Sequence, residues 1–155
     1  MILPALIWLL QDFAQVFLMG FCVVPDVFLL FLVMMALSPS VRKEKQIVII
    51  WTAFIGGLFW DFRWTNLPGL SAAINGASVA ISCYVWQKIP VQGRTATFFS
   101  FIIFSVVFFS GLLHFIFWTI PNQVAMRQFL VQQLIGLPVV ALVSLFFWKV
   151  NSKNA

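Results

Sequence analysis

Long apolar runs separated by short polar breaks organise the chain. They give six candidate segments: Ile2 to Phe21, Val24 to Leu37, Ile47 to Trp60, Leu67 to Trp86, Thr97 to Ile120 and Phe129 to Trp148. A bilayer core of ~30 Å takes roughly 20 residues of helix to cross. In lipid the backbone must satisfy its own hydrogen bonds, so a crossing segment is either a helix or one strand of a closed barrel. Barrel strands alternate in polarity from residue to residue. These runs do not alternate, and the pattern predicts helices throughout. The second and third segments are short for a full crossing, which implies tilt, immersion in protein or adjoining buried loops. Five crossings are the alternative to six.

Composition moves the expectation from amphipathic to membrane-embedded. Of the 155 residues, 63% are hydrophobic and only 8% are charged, against about 25% charged in an ordinary soluble domain. The mean hydropathy is +1.05. A soluble domain of this length has too much surface relative to volume to hide so much apolar side chain. The expected class is therefore an all-α integral membrane protein with about six transmembrane helices, forming one domain over residues 1–155. The apolar N-terminal run has no basic leader and is interrupted by Pro4 and Asp12, so it is predicted to be a retained helix rather than a cleaved signal.

The formal net charge of +5 sets an orientation. Arg42, Lys43 and Lys45 follow the second segment, Lys88 and Arg94 follow the fourth, and Lys149 and Lys153 follow the sixth. With six crossings these three places share one side, and only Arg63 and Arg127 lie on the other. Basic residues favour the cytoplasm, so both termini are predicted to face inward. Trp60, Trp64 and Trp118 then fall near outer helix ends, and Trp86 and Trp148 near inner ends. Those are interface positions, where an indole is half wet. Trp8 and Trp51 are expected to be packed or lipid-facing. No block of five like charges is present, and nucleic acid is not an expected partner.

The polar residues inside the apolar runs are the candidates for function. Ala72, Gly76 and Ala80 recur every four residues in the fourth segment, beside Ala73 and Ala77. Small residues at that spacing allow helices to approach closely, either within the bundle, which is favoured, or against a partner. Gly56 and Gly57 are candidates for the facing notch. Asp61 lies near the end of the third segment, where a carboxylate opposes the helix dipole and calls for a compensating partner. Arg63, Arg127 and the backbone N–H groups downstream all qualify. A structural anchor for the Leu67-Pro68-Gly69 turn is favoured over a proton or ion site, although acids in membranes are often functional. Asp26, after Pro25, suits the start of a helix. Asp12 lies deeper, beside Gln11 and Gln15, and is the leading candidate for a polar contact between helices, with transport a lesser alternative. His114 stands alone, as an interhelical hydrogen bond would have it. Gly136 and Pro138 mark a bend, and Gln132 and Gln133 could line a polar crevice. Cys22 and Cys83 are assigned to opposite faces and are not expected to pair. No nucleophile elbow, phosphate loop, metal-ligand spacing or paired carboxylates occurs, so no catalytic, cofactor-binding or metal residue is assigned and an enzyme is not expected.

The order Pro25-Asp26-Val27, Gly56-Gly57-Leu58-Phe59-Trp60-Asp61 and Leu67-Pro68-Gly69-Leu70 resembles the rod shape-determining protein MreD family. That family typically opens an apolar helix with Pro-Asp or Pro-Asn. A basic break follows, then a glycine-bearing helix ending in Asp, with a Leu-Gly turn eight residues on. The chain departs from the pattern after the Asp, where Phe62-Arg63-Trp64-Thr65 replaces a common Leu-x-Ser-Gly. The resemblance implies six helices in a fold like that of the substrate-binding subunits of energy-coupling-factor vitamin transporters. It also implies a non-catalytic scaffold of the bacterial inner membrane. MreC would be the direct partner, with MreB, RodA and a class B penicillin-binding protein further along the wall-elongation machinery. A vitamin-binding subunit is the alternative. The first segment lacks the Ala-x-x-x-Ala motif common in those subunits, and the outer loops are short for a ligand lid.

Overall fold

A computed structural model describes residues 2–18, 24–38, 41–64, 67–117 and 122–151. Phe21, Cys22, Thr65, Trp118, Ile120 and Lys153 lie outside the described residues, as does the side chain of Trp148. Among the described residues there are six α-helices: α1 (Ile2–Leu18), α2 (Val27–Leu37), α3 (Lys43–Trp64), α4 (Leu70–Lys88), α5 (Ala96–Phe117) and α6 (Asn122–Asn151). A short 3₁₀ turn (Val91–Gly93) precedes α5. Among the described residues, three stretches are long and apolar enough to cross a membrane: α3, α5 and the Phe129–Phe147 part of α6.

The third segment is not short. α3 begins at Lys43 and has 22 residues, about 33 Å at the usual rise. The basic break is its first turn rather than a loop, with Glu44 placed where the helix dipole favours an acid. The second segment does stay short: α2 has 11 residues, about 17 Å. Val24 ahead of it and Phe28 in its first turn are both bonded to α1. The Gln15 side chain accepts from the Val24 N–H, and Gln11 Oε1 accepts from the Phe28 N–H at 2.7 Å. Irregular backbone inside a bilayer is tolerated only where protein supplies such partners.

The apolar centre is built on α2. Its Leu29, Leu30, Leu32, Val33, Ala36 and Leu37 are all buried, packing with Ala53, Val79, Phe99 and Ile103. Because α2 is apolar on every side, it has no preferred outward face and sits inside the bundle. α3 and α4 form the most extensive helix pair, followed by α5 and α6. At the end of the bundle that carries Lys88 and Arg94, Trp86 does not take the half-wet position expected of it. Its indole is buried and packs edge-on against Phe99 and Phe147, which stack on each other at 3.7 Å. The Arg94 guanidinium lies 5.8 Å from the indole centroid and caps it toward the connection. Burial wins because two facing rings offer more contact than an interface does. Trp51, by contrast, is exposed. The Gln46 amide ties the start of α3 to its neighbours, donating to the Ala36 carbonyl and accepting from Gln87 at 2.7 Å.

Candidate functional site

The polar side chains gather where α1, α2, α3, α4 and α5 meet. Asp61 is at their centre and is 1% exposed. It lies in the last turn of α3, and its carboxylate reaches over the following turn to the start of α4. Oδ2 accepts from the Gly69 N–H at 3.0 Å and the Ala72 N–H at 3.1 Å, while Oδ1 accepts from the Ser71 N–H at 3.0 Å. Gly69 is the N-cap of α4 and has no side chain to offer, so the cap comes from the preceding helix. Its φ of 94° is left-handed, a conformation glycine adopts without strain. The first free N–H groups of a helix carry partial positive charge. The dipole of α4 therefore compensates a carboxylate that the dipole of α3 opposes. Of the three partners considered for Asp61, the structure supplies the downstream backbone.

Arg63 pairs with Asp12 instead. Its Nη1 lies 2.9 Å from Asp12 Oδ2, and the Trp64 indole N–H donates to Asp12 Oδ1 at 2.8 Å. Asp12 is 3% exposed, so a buried acid is matched by one cation and one neutral donor. Trp8 adds another tie between α1 and α3, its indole N–H donating to the Gly56 carbonyl at 3.0 Å.

The glycines next to these groups set how close the helices come. A Cβ on Gly57 would lie 2.6–2.7 Å from the Ser71 carbonyl oxygen and the Ala72 N and Cα, all backbone atoms. On Gly56 it would strike the Phe28 ring of α2. Gly76 differs: its Cβ would meet Phe54 at 3.5 Å, an ordinary contact. Ala72 and Gly76 are buried toward α3, and Ala80 is half-buried. The outward side of α4 carries Ala73, Ala77, Ile81 and Tyr84.

Asp26 is the N-cap of α2, its Oδ1 accepting from the Leu29 N–H at 3.0 Å and from the Gln11 amide at 3.2 Å. Pro25 beside it is buried. Pro25, Asp26, Leu29, Leu30, Val107, Ser110 and Gln132 enclose a cavity of about 10 Å³, space for about one water molecule. His114 bonds within and between helices: Nδ1 lies 2.8 Å from the Ser110 carbonyl and Nε2 3.1 Å from Ser71 Oγ. Gly136 faces Val107, and α6 continues as helix through Pro138. Gln132 lines the cavity, while Gln133 sits against Gly111 with a buried Nε2 that has no partner. Cys83 is a free, buried thiol.

Sequence reasoning did not pair Arg63 and Trp64 with Asp12, nor foresee the Gln46 bridge. The signal available was only that an arginine and a buried acid on separate segments each wanted a partner. Chemically, the whole arrangement binds helices to one another through fixed donors and acceptors. No protein-family model, no curated protein and no solved structure matches the chain.

Proposed function

We propose that this protein is a non-catalytic, MreD-like scaffold of the bacterial inner membrane that docks with MreC in the wall-elongation machinery. Its six helices would cross the membrane with both termini in the cytoplasm, leaving the basic ends of α2–α3, α4–α5 and α6 inside. The observation that supports this is the use made of the residues that carry the resemblance. Asp26 joins α2 to Gln11 of α1, Gly56 receives Phe28 of α2, Gly57 meets the backbone of Ala72, and Asp61 caps α4 through Gly69. Each of them holds one helix to the next, and this is the chemistry of a framework. Where the chain departs from the family pattern, Arg63 and Trp64 take up Asp12, so the departing residues serve the same joint.

The vitamin-binding alternative gains nothing from the polar cluster. Among the described residues, the cavity lined by Pro25, Asp26 and Gln132 has about 10 Å³, far below the roughly 300 Å³ or more of a small-molecule site. Docking would rest on close packing and polar contact, because lipid already satisfies apolar surface. The test is co-purification from membranes under mild detergent. MreC retained on the tagged protein is the expected result. A clean preparation without MreC, carrying a bound small molecule, would favour the alternative.

A further inference from the structure

Charge is divided unequally between the two ends of the bundle. Among the described residues, Arg42, Lys43, Lys45, Lys88, Arg94 and Lys149 stand toward one end with Glu44 as their one acid. Arg63 and Arg127 stand toward the other, with Asp12, Asp26 and Asp61. Side chains hold the basic residues at one level. Gln46 accepts from Gln87 and donates to the Ala36 carbonyl, which sets the start of α3 beside the ends of α2 and α4. Trp86 packs on Phe99 and Phe147, which brings the start of α5 and the end of α6 to the same place. The cations differ in what they already hold. Lys88 Nζ lies 5.4 Å from the centroid of the Tyr84 ring. The Arg94 guanidinium lies over Trp86, and its Nε donates to the Ile89 carbonyl at 3.2 Å. Arg42, Lys43 and Lys45 are exposed, and among the described residues their side chains have no hydrogen bond, ion pair or ring contact.

We propose that the turn bearing Arg42, Lys43 and Lys45 is a contact surface for anionic phospholipid headgroups, which gather there in preference to zwitterionic ones. The backbone under the three cations is fixed. The Val41 N–H donates to the Ser38 carbonyl, and the Lys45 and Gln46 N–H groups donate to the Arg42 carbonyl. Val41 itself packs against the apolar core. Three like charges on one ordered turn repel one another and raise the local potential, and an anion shared among them relieves both. At the boundary of a bilayer the anion at hand is a headgroup phosphate. The same helix argues for a lipid over a soluble acidic partner. One turn further along α3, Ile47, Val48 and Trp51 are exposed, so an apolar flank for acyl chains continues directly from the cations. Lys88 and Arg94 contribute to the field from the same level, but their rings and the Ile89 carbonyl already engage them. The surface requires only that the bundle lies in a bilayer, and it is independent of the scaffold proposal.

The experiment places the full chain in phosphatidylcholine vesicles. Electron spin resonance then compares spin-labelled phosphatidylglycerol with spin-labelled phosphatidylcholine, separating lipid held at the protein surface from lipid in the free bilayer. The native chain is expected to prefer the anionic label. The triple variant Arg42→Gln, Lys43→Gln, Lys45→Gln should lower that preference about twofold or more, while Lys88→Gln keeps most of it. Raising the salt from about 0.05 M to about 0.5 M should remove the preference of the native chain, because charge attraction is screened. Equal binding of the two labels by the native chain, a preference unmoved by salt, or one that survives the triple substitution would overturn the proposal. So would a loss in Lys88→Gln as large as in the triple variant. If the triple variant does not assemble, Lys43→Gln takes its place: a larger loss than in Lys88→Gln is expected, and an equal or smaller one would overturn the assignment.

Discussion

The α3–α4 hairpin and the α5–α6 hairpin are built in opposite ways. In the first, a carboxylate bonds three backbone N–H groups, and Gly57 lies directly on the backbone of Ser71 and Ala72. In the second, every close contact involves a side-chain atom: Phe99 stacks on Phe147, Gly136 faces a Val107 methyl, and Gly111 faces the end of the Gln133 side chain. Backbone cannot move without moving its helix, whereas a side-chain terminus can turn aside. The difference suggests that the first hairpin sets the geometry of the bundle and the second adapts to it.

Substitutions can break or sharpen that contrast. The largest effect is expected from Asp61→Ala, which strips three N–H groups of a charged acceptor and should cost about 3–5 kcal/mol, read as a loss of thermal midpoint in detergent or as failure to assemble. Gly57→Ala comes next. Its new methyl meets backbone at 2.6–2.7 Å, and the overpacking should cost about 2–3 kcal/mol in the same assay. Gly111→Ala is the counterpart in the other hairpin. The atom it meets is Gln133 Nε2, the far end of a flexible side chain, and among the described residues that nitrogen has no hydrogen bond to lose. The cost there should stay below about 1 kcal/mol. Equal losses at Gly57 and Gly111 would show that the two hairpins are equally rigid and that the contrast is mistaken.

The chain order of helices was legible because lipid imposes a crude rule, long apolar runs between polar breaks, and all six runs are helical among the described residues. The rule failed at the start of α3. Lys43, Glu44 and Lys45 are polar because they sit at a helix end, not because the chain turns there. Trp86 does lie near the end of α4 as expected, but its ring is buried rather than half wet, since the interface preference of indole is weak against a waiting pair of rings on α5 and α6. For the site, Asp61 and Gly69 are eight residues apart and joined by a local bond, so the need for a partner could be read from the helix dipole alone. Asp12 and Arg63 are far apart in the chain, and only the fold brings them to 2.9 Å. The role of Asp26 was readable in half: its capping bond to Leu29 is local, while its bond to the Gln11 amide depends on how α1 and α2 pack.

The scaffold account is tested most directly by depleting the protein from rod-shaped cells of its own host on rich medium and following their morphology. The account predicts that rods swell and round as the protein is lost, and that expression of the wild-type chain restores them. Depleted cells that keep their rod shape and width would contradict it.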